Sequence, residues 1–165
     1  MTTSISPPWS TLAWIERTQC LLDSFARLLS RELISRNGAA VEQSQRLFEA
    51  DFVVVAHGTQ DDPILNYANS AALRLWEVDL ATLLQTPSRL TAEPVHRDER
   101  AQMLERTRRV GFIDDYRGVR ISATGRRFLI EKAIVWNLQD AKGQPSGQAA
   151  TFADWQELPR IEDRL

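Results

Sequence analysis

Residues Pro63 to Glu77, PILNYANSAALRLWE, read as a short strand that runs into a helix with almost nothing between them. Ile64, Leu65 and Tyr67 are strand formers, and Pro63 stands where a missing amide does no harm, at the first residue of a strand. Asn69 ends the extended run. Its side-chain oxygen, or that of Ser70, can accept from the orphan amides of a first helical turn. Ala71, Ala72, Leu73, Leu75 and Trp76 then combine helix propensity with a wide apolar stripe, so the helix must lie against something, and the adjoining sheet is the obvious surface.

Before this junction, Phe52–His57 (FVVVAH) is a continuous apolar strand, and the turn formers from Gly58 to Asp62 join it to the next strand as an antiparallel neighbour. After it, Asp79–Leu84 reads as a short capped helix, and Thr86-Pro87 as a stop. Ser88–His96 is an interrupted segment, because Pro94 is tolerated only near a helix start. Asp98–Arg109 is a helix with Asp98 and Glu99 in its first turn and Arg106, Arg108 and Arg109 near its end, which complements the macrodipole. Gly111 caps it, and its charge run reads as a solvated face rather than a phosphate-binding patch.

Beyond Gly111 the period changes to that of strands. Phe112–Ser122, Arg127–Leu138 and Ser146–Trp155 form a meander, with turns at Ala123–Arg126 and Gln139–Pro145. In the second of these strands, Phe128, Ile130, Ile134 and Trp136 are expected to alternate on one face. At the other end of the chain, Met1–Trp9 reads as a loose tail. From Ser10 or Thr11 to Arg36, Trp14, Ile15, Leu21, Leu22, Phe25, Leu28, Leu29 and Leu33 recur at helical spacing, and Asn37-Gly38 provides a stop. Ala40–Ala50 is a weaker helix, with Val41, Leu47 and Phe48 on its buried side. The longer helix has too few heptads for a coiled coil, so it either covers the outer face of the sheet or pairs with a second copy as a homodimer.

Two strands, several short helices and a three-strand meander give an α+β domain: a PAS-like five-stranded antiparallel sheet with helices on one face, plus an N-terminal helical extension. The expected divisions are an extension over 1–50, the PAS-like domain over 51–158 and a tail over 159–165.

Composition narrows the function classes. A chain of 165 residues suits one ordinary domain, and no apolar run approaches the roughly 20 residues needed to cross a bilayer. MTTSISPPWS lacks the basic and apolar regions of a secretory signal, so a cytoplasmic protein without membrane association is expected. A net charge of -2 with mixed signs gives no nucleic-acid surface. Cys20 is the one cysteine, which excludes an internal disulfide or a cysteine zinc cluster, and neither His57 nor His96 has a second histidine at ligand spacing, so no metal site is expected.

Three blocks carry a narrower resemblance: HGTQDDPILNYANSAALRLWE (57–77), PSRLTAEPVHRDERAQMLERTRRVGFIDDYRGVRISATGRRF (87–128) and VWNLQDAKGQPSGQAATFADW (135–155). They resemble the MEKHLA domain family, which is PAS-related. The resemblance implies a PAS-like module found alone in bacteria and, in plants, at the carboxyl end of homeodomain-leucine zipper transcription factors, where it is thought to restrain dimer formation. This chain has no homeodomain, zipper or lipid-binding domain, so DNA binding does not carry over. The family has no catalytic residue set to transfer.

In a PAS-like cavity the polar candidates are Asn66, Tyr67, Arg89, Asp115, Tyr116, Arg120, Trp136, Asn137 and Gln148, with Trp76 as a further wall. Tyr67, Trp76, Arg89, Asp115, Tyr116, Arg120, Trp136 and Asn137 make up the ligand-binding set, led by Tyr116, Arg120 and Trp136. The alternative is a structural network in which Arg120 or Arg89 pairs with Asp115 or Asp62. His96 falls near the start of the long helix, where some PAS domains carry a haem ligand, but cap or turn duty suits it better. A flavin-cysteine domain needs a cysteine beside the cavity, and Cys20 lies in the wrong region. Ser88, Arg89, His96 and Asp98 are the one cluster of catalytic residue types, and Ser88 reads better as a helix-start residue. The glycines show no phosphate-loop spacing. The sequence therefore points to a non-catalytic sensor or protein-interaction module in regulation or signalling, binding a small ligand or a partner. A homodimerisation unit without ligand and a small enzyme using the cavity are the alternatives.

Overall fold

The computed structural model describes residues 5–93 and 96–160, so the expectations for Met1–Ser4, Pro94 and 161–165 fall outside it. Its sheet is antiparallel throughout, in the order β2-β1-β5-β4-β3, from β1 (Val53–His57), β2 (Leu65–Ala68), β3 (Phe112–Ile121), β4 (Arg127–Gln139) and β5 (Pro145–Phe152). A sixth strand, β6 (Asp154–Leu158), continues the line of β5 along the first part of β4. The last predicted strand is thus broken at Ala153.

Helices α3 (Ser70–Trp76), α4 (Leu80–Leu83) and α5 (Arg97–Val110), with a 3-10 turn at Ser88–Thr91, connect β2 to β3. Asn69 fixes the start of α3. Its Oδ1 accepts from the amides of Ala72 and Val54 at 3.2 and 3.0 Å, while its Nδ2 donates to the carbonyls of Leu47 and Phe52. One buried side chain therefore caps a helix and ties it to β1 and to the segment before β1.

The other face of the sheet is covered by α1 (Leu12–Leu29) and α2 (Ala40–Phe48). Leu21, Leu22 and Phe25 of α1 and Leu47 of α2 are fully buried there, with Trp136 of β4 and Tyr67 of β2. Each such side chain contributes about 1.5–3 kcal/mol of burial, so this face is a strong core. Because α1 uses its apolar stripe on its own sheet, a homodimer through that stripe would have to displace it. Val41, expected on the buried side of α2, is instead 37% exposed. The first helix also stops earlier than its periodicity predicts. Ser30 turns left-handed (φ 57°), and Arg36 folds back to Gln19, Asp23 and Gln43, which brings Leu33 and Ile34 onto the outer core.

Three bulges decide which side chains face which core. In β2, Ala56 pairs with Tyr67 but His57 pairs with Leu65, which leaves Asn66 as the extra residue. In β3, Asp114 and Asp115 lie between pairs that Ile134 alone separates in β4. In β4, Glu131 and Lys132 do the same against Arg117, and Lys132 is left-handed (φ 54°). Each extra residue reverses the in-out alternation. Leu65, Phe128 and Ile130 accordingly face the helices α3 to α5, while Tyr67, Ile134 and Trp136 face α1. The expectation that Phe128, Ile130, Ile134 and Trp136 share one face is corrected by the turn at Lys132.

Candidate functional site

Between the sheet and the layer of α3, the 3-10 turn and α5 lies a cavity of about 60 Å³. Val55, Ile130, Val135 and Phe152 give it apolar walls from the strands, and Trp76 closes one end from α3, edge-on to Phe128 and Phe152 with centroids 5.3 and 6.0 Å away. Such enclosure by aromatic and aliphatic side chains with a few polar groups is the usual constitution of a small-molecule site.

The polar groups are unusual for their charge. Arg120 of β3 and Arg100 of α5 both line the cavity and are 6% and 7% exposed. Arg120 Nη2 donates to Tyr116 Oη at 2.8 Å and Nη1 to the Val119 carbonyl at 2.8 Å. The Tyr116 ring can lie along its strand towards Arg120 because residue 118 is glycine; a Cβ there would collide with the phenol. Among the described residues Arg100 makes one hydrogen bond, from Nη2 to Ser88 Oγ, and Ser88 is held by its own amide donating to the Pro63 carbonyl at 2.8 Å. Burial, followed by the nearby charge of Arg120, pushes the Arg100 guanidinium down to about 10.

His57 ends β1 at the cavity wall. Its Nδ1 lies 3.0 Å from the Gly58 carbonyl, which can only accept, so Nδ1 carries the hydrogen and Nε2 is left as a buried acceptor without a partner among the described residues. Burial lowers its pKa; the Gly58 contact opposes this, and the charges of Arg100 and Arg17 add to the lowering. Trp76 Nε1 is also buried without a partner.

The structure divides the residues expected at the site. Trp76, Tyr116 and Arg120 line the cavity. Tyr67 and Trp136 do not; the bulges turn them to the opposite face, where Tyr67 packs 4.7 Å from Trp14 and Trp136 Nε1 donates to the Leu21 carbonyl at 3.3 Å. Burial drives the Tyr67 phenol pKa upward. Asn137 is a clamp on the end of α5, donating to the carbonyls of Thr107 and Arg108 and accepting from Gln148, which itself reaches the cavity. Arg89 pairs with Asp62 at 3.2 Å on the surface, as the network alternative expects. Asp115 is exposed in its bulge and pairs with Arg106 at 3.6 Å instead of Arg120. Asn66 accepts from Arg17 at 2.7 Å.

Arg100 and Ser88 were not in the sequence-predicted ligand set, although the spacing Arg100, Met103, Thr107 marks the stripe of α5 that faces the sheet. Most of the charge run on that helix is solvated as expected; Arg100 is the exception. His96 sits at the start of α5, 4.0 Å from Glu99, and is absent from the cavity wall. Cys20 is on α1, across the sheet from the cavity, with Sγ donating to the Gln139 carbonyl at 3.1 Å. Among the described residues no cluster of three His, Cys, Asp or Glu could hold a metal ion, and no helix is long and apolar enough to cross a membrane.

Sheet order, bulged strands and the helices between β2 and β3 define a PAS fold. Solved structures agree: a PAS domain of a Colwellia psychrerythraea protein superposes with a TM-score of 0.59 at 11% identity, over 71% of this chain and 94% of its own. A PAS domain from a two-component sensor histidine kinase gives 0.54 at 20% identity, over 69% and 91%. The light-state dimer of the fungal blue-light photoreceptor Vivid gives 0.59 at 13% identity, over 92% and 99%. The MEKHLA domain family matches residues 15–157, and the chain belongs to that family. The match begins within α1, so it takes in both helices of the outer face. No curated protein sequence matches.

Proposed function

We propose that this chain is a non-catalytic sensor module that takes a small ligand into the cavity between its sheet and α5. The observation that carries this reading is a void walled by apolar strands whose lining includes Trp76 and His57, each with a buried ring nitrogen, Nε1 and Nε2, that has no hydrogen-bond partner among the described residues. Buried polar groups normally have partners, and an occupant of the void can supply one here, an acceptor for the indole N–H above all. In this reading residues 51–158 form the binding core, the extension over 1–50 is the output surface, and the chain acts in the cytoplasm.

Catalysis has no support at the site. Ser88 Oγ accepts from Arg100, and neither a histidine nor a carboxylate is among its hydrogen-bond partners in the described residues, so no base is placed to activate it. A flavin of the light-oxygen-voltage type does not suit these residues either, since the one cysteine is on the other side of the sheet.

Native mass spectrometry of the purified chain, followed by denaturation and analysis of what is released, tests the reading. A stoichiometric small molecule that is lost when Ala133 is replaced by Leu, to fill the cavity, is the expected result. If nothing is carried and small-molecule libraries leave the unfolding temperature unchanged, the sensor reading fails.

A further inference from the structure

The cavity brings two like charges together. Arg100 and Arg120 come from different elements, are each more than nine-tenths buried, and meet at one void. Neither makes a salt bridge among the described residues. The acids around them are engaged elsewhere, Asp62 with Arg89, Asp115 with Arg106 and Glu93 with Arg127. Two like charges held out of water without a counter-ion are strongly unfavourable, and folded proteins keep such groups where something negative completes them.

The donors left over describe that partner. A guanidinium has five N–H groups; among the described residues Arg100 uses one on Ser88 and Arg120 one each on Tyr116 and Val119. Trp76 adds an indole N–H that has no acceptor among those residues. The side chains that line this small space therefore carry an excess of donors, and planar guanidiniums match the two oxygens of a carboxylate. The remaining wall is hydrocarbon and aromatic, from Val55, Ile130 and Phe152, which would leave the further oxygens of a phosphate or sulfate without partners. At about 60 Å³ the space suits a short chain, well below the roughly 300–1,000 Å³ of pockets for drug-sized molecules.

We propose that the ligand is a short-chain organic carboxylate, its charge held between Arg100 and Arg120 and its carbon chain laid against Trp76, Ile130 and Phe152. This inference rests on the reading of the cavity as a ligand site and assigns the chemistry recognised there. A structural role for the two arginines makes the opposite prediction, namely that replacing either lowers stability and that no anion is preferred.

The test is calorimetric and thermal-shift titration of the full chain with propionate and butyrate, with butyramide as the neutral isostere and inorganic phosphate as a compact anion. The expected result is saturable binding of a carboxylate at least tenfold tighter than that of butyramide. In Arg120→Met, carboxylate binding falls at least tenfold while the folded circular dichroism spectrum and the melting temperature without ligand are kept or raised. Arg100→Met serves as the second variant should the first not fold. Equal binding of butyrate and butyramide overturns the assignment of charge and leaves the ligand site standing. Phosphate binding without carboxylate binding overturns the organic class. If none of the probes binds while native mass spectrometry finds a carried neutral compound, the carboxylate is wrong and the sensor reading survives; if neither is seen, both fall.

Discussion

The two faces of the sheet are built to different rules. On the α1 side Trp136, Tyr67, Leu21, Leu22, Phe25 and Leu47 are all fully buried around no comparable void, and the guanidinium that enters this layer, Arg17, bonds Asn66 at 2.7 Å and Ser146, although its Nε, like Trp14 Nε1 and Tyr67 Oη, has no partner among the described residues. On the α5 side the same strands border a void, two arginines that pair with no acid among the described residues and a histidine with an open nitrogen there. The difference teaches where the stability lies. A domain can hold costly groups on one face when the other supplies the cohesion, and sites that break local rules are where function is found.

The contrast can be broken most directly at the aromatic residues. Trp136→Ala, on the packed face, should lower the unfolding free energy by about 3–5 kcal/mol in urea titrations. Trp76→Phe, on the cavity face, gives up an indole N–H that bonds to nothing among the described residues and should cost about 1 kcal/mol or less. Equal losses would remove the asymmetry. Asn69→Ala ranks next, with an expected loss of about 2–3 kcal/mol by the same measurement, because it uncaps α3 and strands the carbonyls of Leu47 and Phe52.

A smaller effect, of opposite sign, is expected at Lys132. Glycine adopts its left-handed conformation without a Cβ penalty, so Lys132→Gly should stabilise by about 0.5–1 kcal/mol and Lys132→Val should destabilise. A loss of stability in the glycine variant would show that the bulge is held by the lysine side chain. The gentlest test sharpens the polar side of the comparison. The pKa of His57 is lowered in the folded state, so its contribution to stability is complete above its ordinary 6.5 and is lost as pH falls below it. Unfolding measured between pH 7 and 5 should show a shallower decline in His57→Gln than in the parent chain.

Much of the fold was legible because its signals are local. Asn69 before an apolar helix, the acid-to-base gradient along Asp98–Arg109 and the period-2 run after Gly111 each specify an element without reference to the rest of the chain. The site was harder to read because three backbone irregularities intervene. Alternation read across Asn66 and Lys132 puts Tyr67 and Trp136 in the cavity, and one inserted residue in each strand takes them out. Lysine gives no hint of a left-handed backbone in the way that Gly or Asn does. Arg100 was hidden among solvated charges, and its burial depends on how α5 packs over β3 and β4, which spacing suggests but cannot fix. The end of α1 at Ser30 likewise depends on Arg36 reaching back to Gln19 and Gln43, a contact made only after folding.

His57 belongs to both compartments at once. Its imidazole faces the cavity, while its carbonyl oxygen, on the same residue, accepts from Arg17 of α1 at 3.5 Å. Gly147 of β5 packs so closely against that carbonyl that any Cβ would clash with it, so the peptide has little room to give way sideways. A displacement of His57 by an occupant is therefore, with no intervening contact, a displacement of an anchor of α1. At this point the cavity and the α1 layer are separated by one peptide.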